Sequence, residues 1–298
     1  VSASVEPLNW TDRSRRRERL QRVKISVIIP ALNEAHNLPH VLPRIPRWVH
    51  EVLLVDGHST DDTVKVATQL WPQLRIVYQD KPGKGAALRC GFREATGDIL
   101  VMLDADGSTD PAEIPAFVGA LMAGADFAKG SRFLQGGGTV DMPFYRKIGN
   151  KAFVMIVKLL FGGRFSDLCY GYNAFWSWVP SLLKLDGDGF EIETMMNIRA
   201  LRAGLKIAEV PSFEAKRVYG CGRLRTIPDG WRVLRTIWQE WRGAPRWRLA
   251  AGDRAANAAI RVIDSQSLGA GIVENWQRHI DGVWVQQALS GVCGRLGN

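Results

Sequence analysis

The chain has 298 residues, 46% hydrophobic and 23% charged, a composition typical of a globular protein with one large domain or two closely packed ones. Its net charge of +9 and isoelectric point near 9.6 favour anionic partners, namely nucleic acid, a membrane surface or phosphorylated substrates. Four widely separated cysteines and the lack of an apolar run of about 20 residues argue against a disulfide framework, a zinc site and a membrane-spanning helix.

Segments typical of strands and helices alternate along the chain from Lys24. Apolar runs predict strands at 24–30, 51–56, 74–79, 98–104 and 125–130. Helices are predicted between them, from Ala35 to about Arg44, from the Ser59–Asp61 capping cluster, from about Gly85 to Ala95, and after Pro111. Strands that alternate with helices at about 25-residue spacing predict an α/β fold with a doubly wound, mostly parallel sheet.

The alternation becomes less regular after the fifth predicted strand. The GGG at 136–138 predicts a flexible loop, and the segment from about 145 to 161 predicts a helix. A further helix is predicted over FEIETMMNIRALR, with Glu191 and Glu193 near its start. KIAEVP then predicts a short edge strand that Pro211 ends.

Polar and acidic side chains follow three of the predicted strands. Asn33 and Glu34 follow the first, Asp56 the second, and Asp104 and Asp106 the fourth. The carboxyl ends of parallel strands meet at one edge of the sheet, which is where α/β proteins bind ligands. Helix capping explains such residues singly, but it does not explain why three strand ends point at one crevice.

The DxD spacing of Asp104 and Asp106 suits a metal bound together with a diphosphate. Residues i and i+2 of a strand point to the same side, and hard cations bind oxygen at roughly 2.0–2.6 Å. We expect Asp106 to bind Mg²⁺ or Mn²⁺ directly, and Asp104 to reach the metal through water or to hold a sugar hydroxyl. Without the cation, the two carboxylates would repel the diphosphate.

Several motifs together resemble a known family. VIIPALNEAHNL, VLLVDGHSTDDT, GKGAALRCGF and MLDADG, in this order, resemble the nucleotide-sugar half of glycosyltransferase family 2, which has the GT-A fold. Downstream, GSRF, YRKIGN, DLCYGYNAF, GFEIE and an R-x-x-G at 217–220 resemble the branch that makes dolichyl- and polyprenyl-phosphate sugars. The resemblance implies a catalytic domain over 24–227, with a nucleotide-sugar half at 24–110 and an acceptor half at 111–227. A basic arm at 1–23 and a helical extension at 228–298 flank it.

The resemblance also implies roles for individual residues. The nucleotide sugar is expected to contact Pro30, Ala31, Asn33, Glu34, Asp56, Lys84 and Asp104. The metal motif is Asp104 and Asp106, and the acceptor phosphate is expected at Arg132, Arg146 and Arg217. The residues expected to act in catalysis are Asp104, Asp106, Arg132 and Glu193. The Gly83–Gly85 turn that opens a helix offers backbone N–H groups and the cation of Lys84 to phosphate.

The sequence departs from the family pattern at two places. Gly57 and His58 stand where a second acid usually follows Asp56, which leaves the recognition of the base open. GSTDP, at 107–111, is one residue longer than the motif ending in Gln-His-Pro that lipid-phosphate synthases tend to have, and it lacks that motif's potential extra metal ligand.

The acceptor determines which further residues catalysis needs. A phosphate acceptor is already anionic and needs cations, whereas a hydroxyl needs a base, for which Glu193 is the first candidate and Glu191 and Asp167 are the next. The sequence predicts an inverting, metal-dependent transfer of a hexose from GDP-mannose or UDP-glucose to polyprenyl or dolichyl phosphate. Transfer to a hydroxyl of a glycan or small metabolite, and a non-catalytic nucleotide-sugar-binding protein, are the alternatives.

Other classes fit the motifs less well. A sugar-phosphate nucleotidylyltransferase or a Rossmann dehydrogenase would carry a glycine-rich loop after the first strand, where this chain has PALNEAHN. A nucleic-acid partner is not expected, because the acids at the strand ends would repel its phosphates unless metal were present.

The segment DGWRVLRTIWQEWRG predicts an amphipathic helix. Trp231, Trp238 and Trp241 lie on one half of the helical wheel, and the arginines lie on the other. Such a helix either lies in a membrane interface or packs its tryptophan side on the catalytic domain. Together with the basic arm and the spaced cysteines, it leads us to expect a cytoplasmic protein with peripheral membrane contact. Residues 250–298 fall outside the resemblance and carry no functional prediction.

Overall fold

The computed structural model describes residues 23–243. The predicted basic arm and all of the extension beyond residue 243 lie outside these residues.

A seven-stranded sheet forms the centre of the described chain. Its strands lie in the spatial order β3-β2-β1-β4-β7-β5-β8. All pairings in the sheet are parallel except those of β7, which is antiparallel to both β4 and β5. The short strands β6 and β9 form a separate parallel pair. The strands are β1 (Ile25–Ala31), β2 (Glu51–Asp56), β3 (Arg75–Tyr78), β4 (Ile99–Met102), β5 (Phe127–Ser131), β6 (Gly138–Thr139), β7 (Asn173–Trp176), β8 (Ile207–Pro211) and β9 (Phe213–Glu214).

Helices cover both faces of this sheet, as the doubly wound prediction required. The first face carries α1 (Leu38–Val41, continued by a 3-10 turn at Leu42–Arg44), α2 (Thr63–Leu70) and α4 (Ile114–Met122). The second face carries α3 (Lys84–Glu94), α5 (Phe144–Phe161), α6 (Val179–Leu183), α7 (Glu191–Arg202) and α8 (Thr226–Arg242). None of the described helices combines the length and the apolar composition needed to cross a membrane.

The apolar runs of the central strands follow from burial on both faces. In β1, Val27 and Ile29 pack into the core on the first face, and Ile28 packs into the core on the second. A strand that is buried on both sides has no solvent-facing position, so its sequence is a continuous run of apolar residues.

Several details of the fold differ from the sequence prediction. No strand was predicted at 173–176, yet β7 pairs there with β4 and β5. The four residues NAFW show no period of their own, and their strand conformation depends on neighbours far away in the chain. The first helix was predicted from Ala35, but α1 begins at Leu38, because residues 34–37 form a turn in which the N–H of Asn37 donates to the carbonyl of Glu34.

Candidate active site

A cavity of about 650 Å³ opens beyond the carboxyl ends of β1 and β4. Most of the predicted site residues line it, namely Pro30, Ala31, Glu34, Lys84, Asp104, Asp106, Arg132, Arg146, Glu193 and Arg217. Asn33 and Asp56 lie outside this lining. Two of the three predicted strand ends, those before Glu34 and before Asp104 and Asp106, therefore meet at this cavity.

Lys84, the first residue of α3, joins two carboxylates at the floor of the cavity. Its Nζ lies 2.7 Å from Asp104 Oδ1 and 2.8 Å from Glu193 Oε1. Burial disfavours the charged amine, but Asp104 and Glu193 outweigh that effect and hold the pKa of Lys84 well above its usual value. Lys84 therefore stays protonated in the pH range of an enzyme assay.

Negative charge is in excess around Asp104. Burial raises the pKa of Asp104 to about 6, and the charges of Asp106 and Glu193 add to this rise, while Lys84 opposes it. A carboxylate with a raised pKa inside a cavity is typical of a functional site, and here it suits the binding of a cation.

Gly171 makes the convergence of these side chains possible, and the sequence analysis did not single it out. A Cβ at this position would lie 2.7 Å from both Glu193 Oε1 and Lys84 Nζ, and 3.1 Å from Asp104 Oδ2. Any side chain would therefore separate the three charged groups. The only signal in the sequence was a glycine between two tyrosines in the DLCYGYNAF motif.

Arg217, in the loop after β9, holds a second pair of carboxylates. Its Nη2 donates to both oxygens of Glu34 at 2.7 and 2.6 Å, and its Nη1 lies 3.3 Å from Asp106 Oδ2. The same loop is attached to the turn after β1, because Tyr219 N donates to Asn37 Oδ1 at 2.8 Å. Arg217 thus links the acceptor half of the chain to the nucleotide-sugar half.

The other two predicted acceptor cations differ in their charge balance. Arg132 is buried, with its Nε 2.7 Å from Asp167 Oδ2 and its Nη1 3.0 Å from Glu214 Oε1, so two carboxylates already neutralise it. Arg146, on α5, also lines the cavity, and within residues 23–243 no hydrogen bond or ion pair engages its guanidinium. Of this pair, Arg146 is the cation available to an anion in the cavity.

Asp56 is buried at the end of β2 with one oxygen unused. Its Oδ2 accepts from the N–H of Ser59 at 3.0 Å, whereas its Oδ1 has no hydrogen-bond partner in the described part of the chain. A buried acceptor without a partner is costly, so Oδ1 suits a donor group of a ligand. A Cβ at Gly57 would lie 3.2 Å from that of Leu32, so a side chain there would need a small shift of its neighbours.

The glycines of the Gly83–Gly85 turn serve packing, which corrects the prediction that their N–H groups face phosphate. The N–H groups of Gly85 and Ala86 donate to the carbonyl of Asp188 at 2.8 and 3.2 Å. A Cβ at Gly85 would collide with the carbonyl oxygen of Gly187. This turn therefore presents the amine of Lys84, and the amides of Gly85 and Ala86 hold the loop before α7.

The family follows from the chain's similarity to known proteins. Residues 26–175 match the sequence profile of Glycosyl transferase family 2. The chain belongs to glycosyltransferase family 2. As a member of that family it is a glycosyltransferase, and the resemblance inferred from the motifs is confirmed.

Three curated relatives of this family 2 glycosyltransferase are lipid-phosphate mannosyltransferases. The dolichol-phosphate mannosyltransferase of Pyrococcus furiosus is 33% identical over 74% of this chain, and the match spans 65% of that relative's length. The undecaprenyl-phosphate mannosyltransferase of Micrococcus luteus is 32% identical over 76% of this chain and 96% of the relative. The polyprenol monophosphomannose synthase of Mycolicibacterium smegmatis is 32% identical over 66% of this chain and 80% of the relative.

Solved structures confirm the GT-A fold of this family 2 glycosyltransferase. The glucosyl-3-phosphoglycerate synthase of Mycobacterium tuberculosis, crystallised with Mn²⁺, UDP and phosphoglyceric acid, matches with a TM-score of 0.60 at 24% identity, over 80% of this chain and 85% of that chain. A mycobacterial protein matches with a TM-score of 0.61 at 22% identity, over 75% of this chain and 76% of that chain.

In this glycosyltransferase, Asp104 and Asp106 fit a divalent cation that is shared with a diphosphate. Across residues 23–243, no three His, Cys, Asp or Glu side chains converge as a complete metal site. Mg²⁺ and Mn²⁺ suit carboxylate, phosphate and water oxygens, and Mg²⁺ commonly takes only one or two protein carboxylates. The excess negative charge around Asp104 is the charge that such a cation would neutralise.

The GSTDP segment has structural partners that account for its departure from the family pattern. Ser108 donates its N–H and its hydroxyl to Asp106 Oδ1 at 3.0 and 2.7 Å, which orients that carboxylate. Asp110 accepts from the N–H of Ala112 at 2.9 Å and pairs with Arg44 at 2.6 Å. Asp110 is thus engaged with the turn that starts α4.

Proposed function

We propose that the protein transfers a hexose, with inversion, from a nucleotide sugar to polyprenyl phosphate, with Asp104 and Asp106 holding a divalent cation. The observation that carries this proposal is the charge balance of the cavity. Among residues 23–243 Arg146 lines the cavity without a carboxylate partner, while Glu193, the one candidate base among the described lining residues, is paired with Lys84.

The candidate bases argue against a hydroxyl acceptor. Glu193 lines the cavity but pairs with Lys84, whose raised pKa keeps the amine protonated. Asp167 is buried against Arg132, and Glu191 Oε1 accepts from the N–H of Gly189 at 2.9 Å. A phosphate needs no base, because its oxygen already carries the negative charge that attacks the anomeric carbon.

The donor is assigned to the strand ends of the nucleotide-sugar half. Pro30, Ala31 and Glu34 line the cavity, and Asn33 precedes Glu34 in the sequence. Asp56, at the end of the neighbouring strand β2, has one oxygen without a partner among the described residues. When bound, the cation would neutralise the diphosphate as it leaves, and Lys84 would add a fixed positive charge beside it. The bond from the anomeric carbon to the diphosphate breaks as the bond to the acceptor phosphate oxygen forms.

The acceptor phosphate is assigned to the cations of the second half. Arg146 lines the cavity and would orient the phosphate. Arg217 also lines it but is paired with Glu34 and Asp106, and Arg132 would position the backbone of Cys169, to whose carbonyl its Nη2 donates at 3.2 Å. The names of the three curated relatives support a lipid phosphate acceptor and mannose as the sugar.

The test measures which acceptor receives labelled sugar. Radiolabelled GDP-mannose or UDP-glucose is incubated with the protein, Mg²⁺ or Mn²⁺, and either polyprenyl phosphate or a panel of hydroxyl acceptors. We expect label in the lipid phase, and we expect EDTA to abolish the transfer. Label that enters only the hydroxyl acceptors, or transfer that persists in EDTA, would contradict the proposal.

Substitution of Arg146 tests the observation that carries the proposal. We expect Arg146→Ala to raise KM for polyprenyl phosphate about tenfold or more, with KM for the donor unchanged, because a charge-assisted hydrogen bond to phosphate is lost. Arg146→Lys should recover part of the loss. The matched control is Arg93→Ala, at the exposed end of α3 and outside the cavity lining. An acceptor KM that is the same in Arg146→Ala and Arg93→Ala would refute the role.

A further inference from the structure

The loop between α6 and α7, residues 184–190, lies directly on the turn that carries Lys84. A Cβ at Gly83 would collide with the carbonyl oxygen of Asp188, and a Cβ at Gly85 would collide with that of Gly187. Gly83 also has a φ of +117°, which residues other than glycine rarely adopt. The glycines on either side of Lys84 therefore let the loop approach the turn closely.

The same loop caps the first turn of α3. The N–H groups at the start of a helix have no partner within that helix. Those of Gly85 and Ala86 donate to the carbonyl of Asp188 at 2.8 and 3.2 Å, and the N-terminal residue Gly83 offers no side-chain cap. Lys84 is the first residue of this helix, so its position depends on where the loop lies.

Arg89 of α3 binds the loop through its side chain. Its Nη1 donates to the carbonyl of Gly187 at 3.1 Å, and its Nη2 lies 2.6 Å from Asp188 Oδ1. This ion pair is partly exposed, so its loss should cost the fold little. Arg89 is not among the residues that line the cavity, and its effect on the site is therefore indirect.

The other end of the loop is held by Arg199 of α7. Its Nη1 donates to the carbonyls of Leu183 and Lys184 at 3.3 and 2.6 Å, and its Nη2 lies 2.7 Å from Asp186 Oδ1. Arg199 is buried and also pairs with Glu240 of α8 at 2.7 Å. The loop is thus fixed to α7 and α8 at its start, and Arg89 fixes its end to α3.

Helix α7 follows this loop directly, and Glu193 in its first turn shares the amine of Lys84 with Asp104. We propose that Arg89 is a positioning residue, which acts through the 184–190 loop to hold the Lys84 amine between Glu193 and Asp104. The proposal rests on the proposed function, in which Asp104 holds the cation and Lys84 stands beside the diphosphate.

The test is the binding of Mn²⁺ to the full chain without nucleotide, measured by electron paramagnetic resonance of the free ion. We expect Arg89→Ala and Asp188→Ala each to strengthen Mn²⁺ binding about threefold or more, because the displaced Lys84 amine offsets Asp104 less. The two substitutions change the net charge in opposite directions, so electrostatics alone would shift the two affinities in opposite directions.

Two further variants control this comparison. Arg89→Lys keeps the charge but loses the planar fork, so its Mn²⁺ affinity should lie between those of the wild type and Arg89→Ala. It takes the place of Arg89→Ala if urea denaturation shows that the alanine variant does not fold. The matched control is Arg93→Ala, at the exposed end of the same helix, which should bind Mn²⁺ as the wild type does.

The Lys84→Met background separates positioning from other effects. There, the addition of Arg89→Ala should leave the Mn²⁺ affinity unchanged, because no amine remains to be displaced. In the Lys84 protein, Arg89→Ala should lower kcat for sugar transfer about fivefold or more and leave KM for polyprenyl phosphate unchanged, because the loop holds no predicted acceptor cation.

The outcomes distinguish this proposal from the proposed function. Opposite shifts in Arg89→Ala and Asp188→Ala would overturn the positioning role, as would an equal effect of Arg89→Ala with and without Lys84. A Mn²⁺ affinity of Arg89→Ala that matches Arg93→Ala would overturn it too. Stronger Mn²⁺ binding in a protein that transfers sugar to no polyprenyl phosphate would support the positioning role and refute the acceptor.

Discussion

One basic side chain lies beside each aspartate of the DxD motif. Lys84 pairs with Asp104 at 2.7 Å, and Arg217 lies 3.3 Å from Asp106. A diphosphate would attract both cations as it brings the metal to the carboxylates. We therefore expect the metal and the nucleotide to bind cooperatively. The metal would offset the repulsion between the diphosphate and the two aspartates, and the diphosphate would offset the repulsion between the metal and the two basic side chains.

The substitution Lys84→Met tests this coupling. Without nucleotide, it should strengthen Mn²⁺ binding about tenfold or more, because a positive charge beside Asp104 is removed. Sugar transfer should fall at the same time. Mn²⁺ affinity is measured by electron paramagnetic resonance of the free ion, with Lys81→Met, an exposed neighbour outside the cavity, as the control. An unchanged Mn²⁺ affinity would show that Lys84 does not compete with the metal.

At the scale of elements, Glu51 holds the first three strands in register. Its Oε1 accepts from the hydroxyl of Ser26 in β1 and from the N–H of Thr96 at 2.6 Å each, and its Oε2 pairs with Arg75 of β3 at 2.6 Å. Burial opposes ionisation, but these donors outweigh it and lower the pKa of Glu51 to about 2. This carboxylate stabilises the fold when it is ionised.

The sign of this effect predicts acid sensitivity. Because the folded pKa of about 2 is below the ordinary value of 4.5, the stabilisation is present above pH 4.5 and is lost as the pH falls towards 2. At neutral pH, Glu51→Gln should lower the free energy of unfolding by about 1–3 kcal/mol, as measured by urea denaturation. The exposed control Asp62→Asn should change it by less than about 0.5 kcal/mol. Equal stabilities of the two variants would refute the role of Glu51.

At the scale of the whole molecule, the loop after β9 joins the two halves of the chain. Arg217 pairs with Glu34, Tyr219 bonds to Asn37 and stacks near His36, and Arg223 donates to the carbonyl of Leu32 at 2.7 Å. These contacts close the loop over the turn that follows β1. The cavity is thus bounded by residues far apart in sequence.

The substitution Glu34→Gln should loosen this closure. Residues 220–225 are exposed and include two arginines, so trypsin can report on their mobility. We expect cleavage in this loop to accelerate about threefold or more, because Arg217 loses its partner. The site of cleavage is read by mass spectrometry, and Asp62→Asn again serves as the control. A rate that matches the control would show that the ion pair does not hold the loop.

Local patterns determined the fold and several residues of the cavity's lining. Alternating apolar segments predicted the helices and parallel strands, and the polar residues at their ends predicted one crevice, because strand direction and side-chain period are properties of the backbone itself. Asp104, Asp106 and Glu34 could be placed in this way before any contact was known.

Tertiary structure alone decided how the charges are matched. Arg132 is neutralised by Asp167 and Glu214, whereas Arg146 has no ion-pair partner among residues 23–243, and this difference depends on residues brought together from separate elements. Gly171 and the strand β7 carried no local signal, since their roles arise from neighbours distant in the chain. The sequence by itself determined which groups are present at the cavity, and packing decided which of them remain available to a ligand, because pairing and burial depend on distances that no local pattern contains.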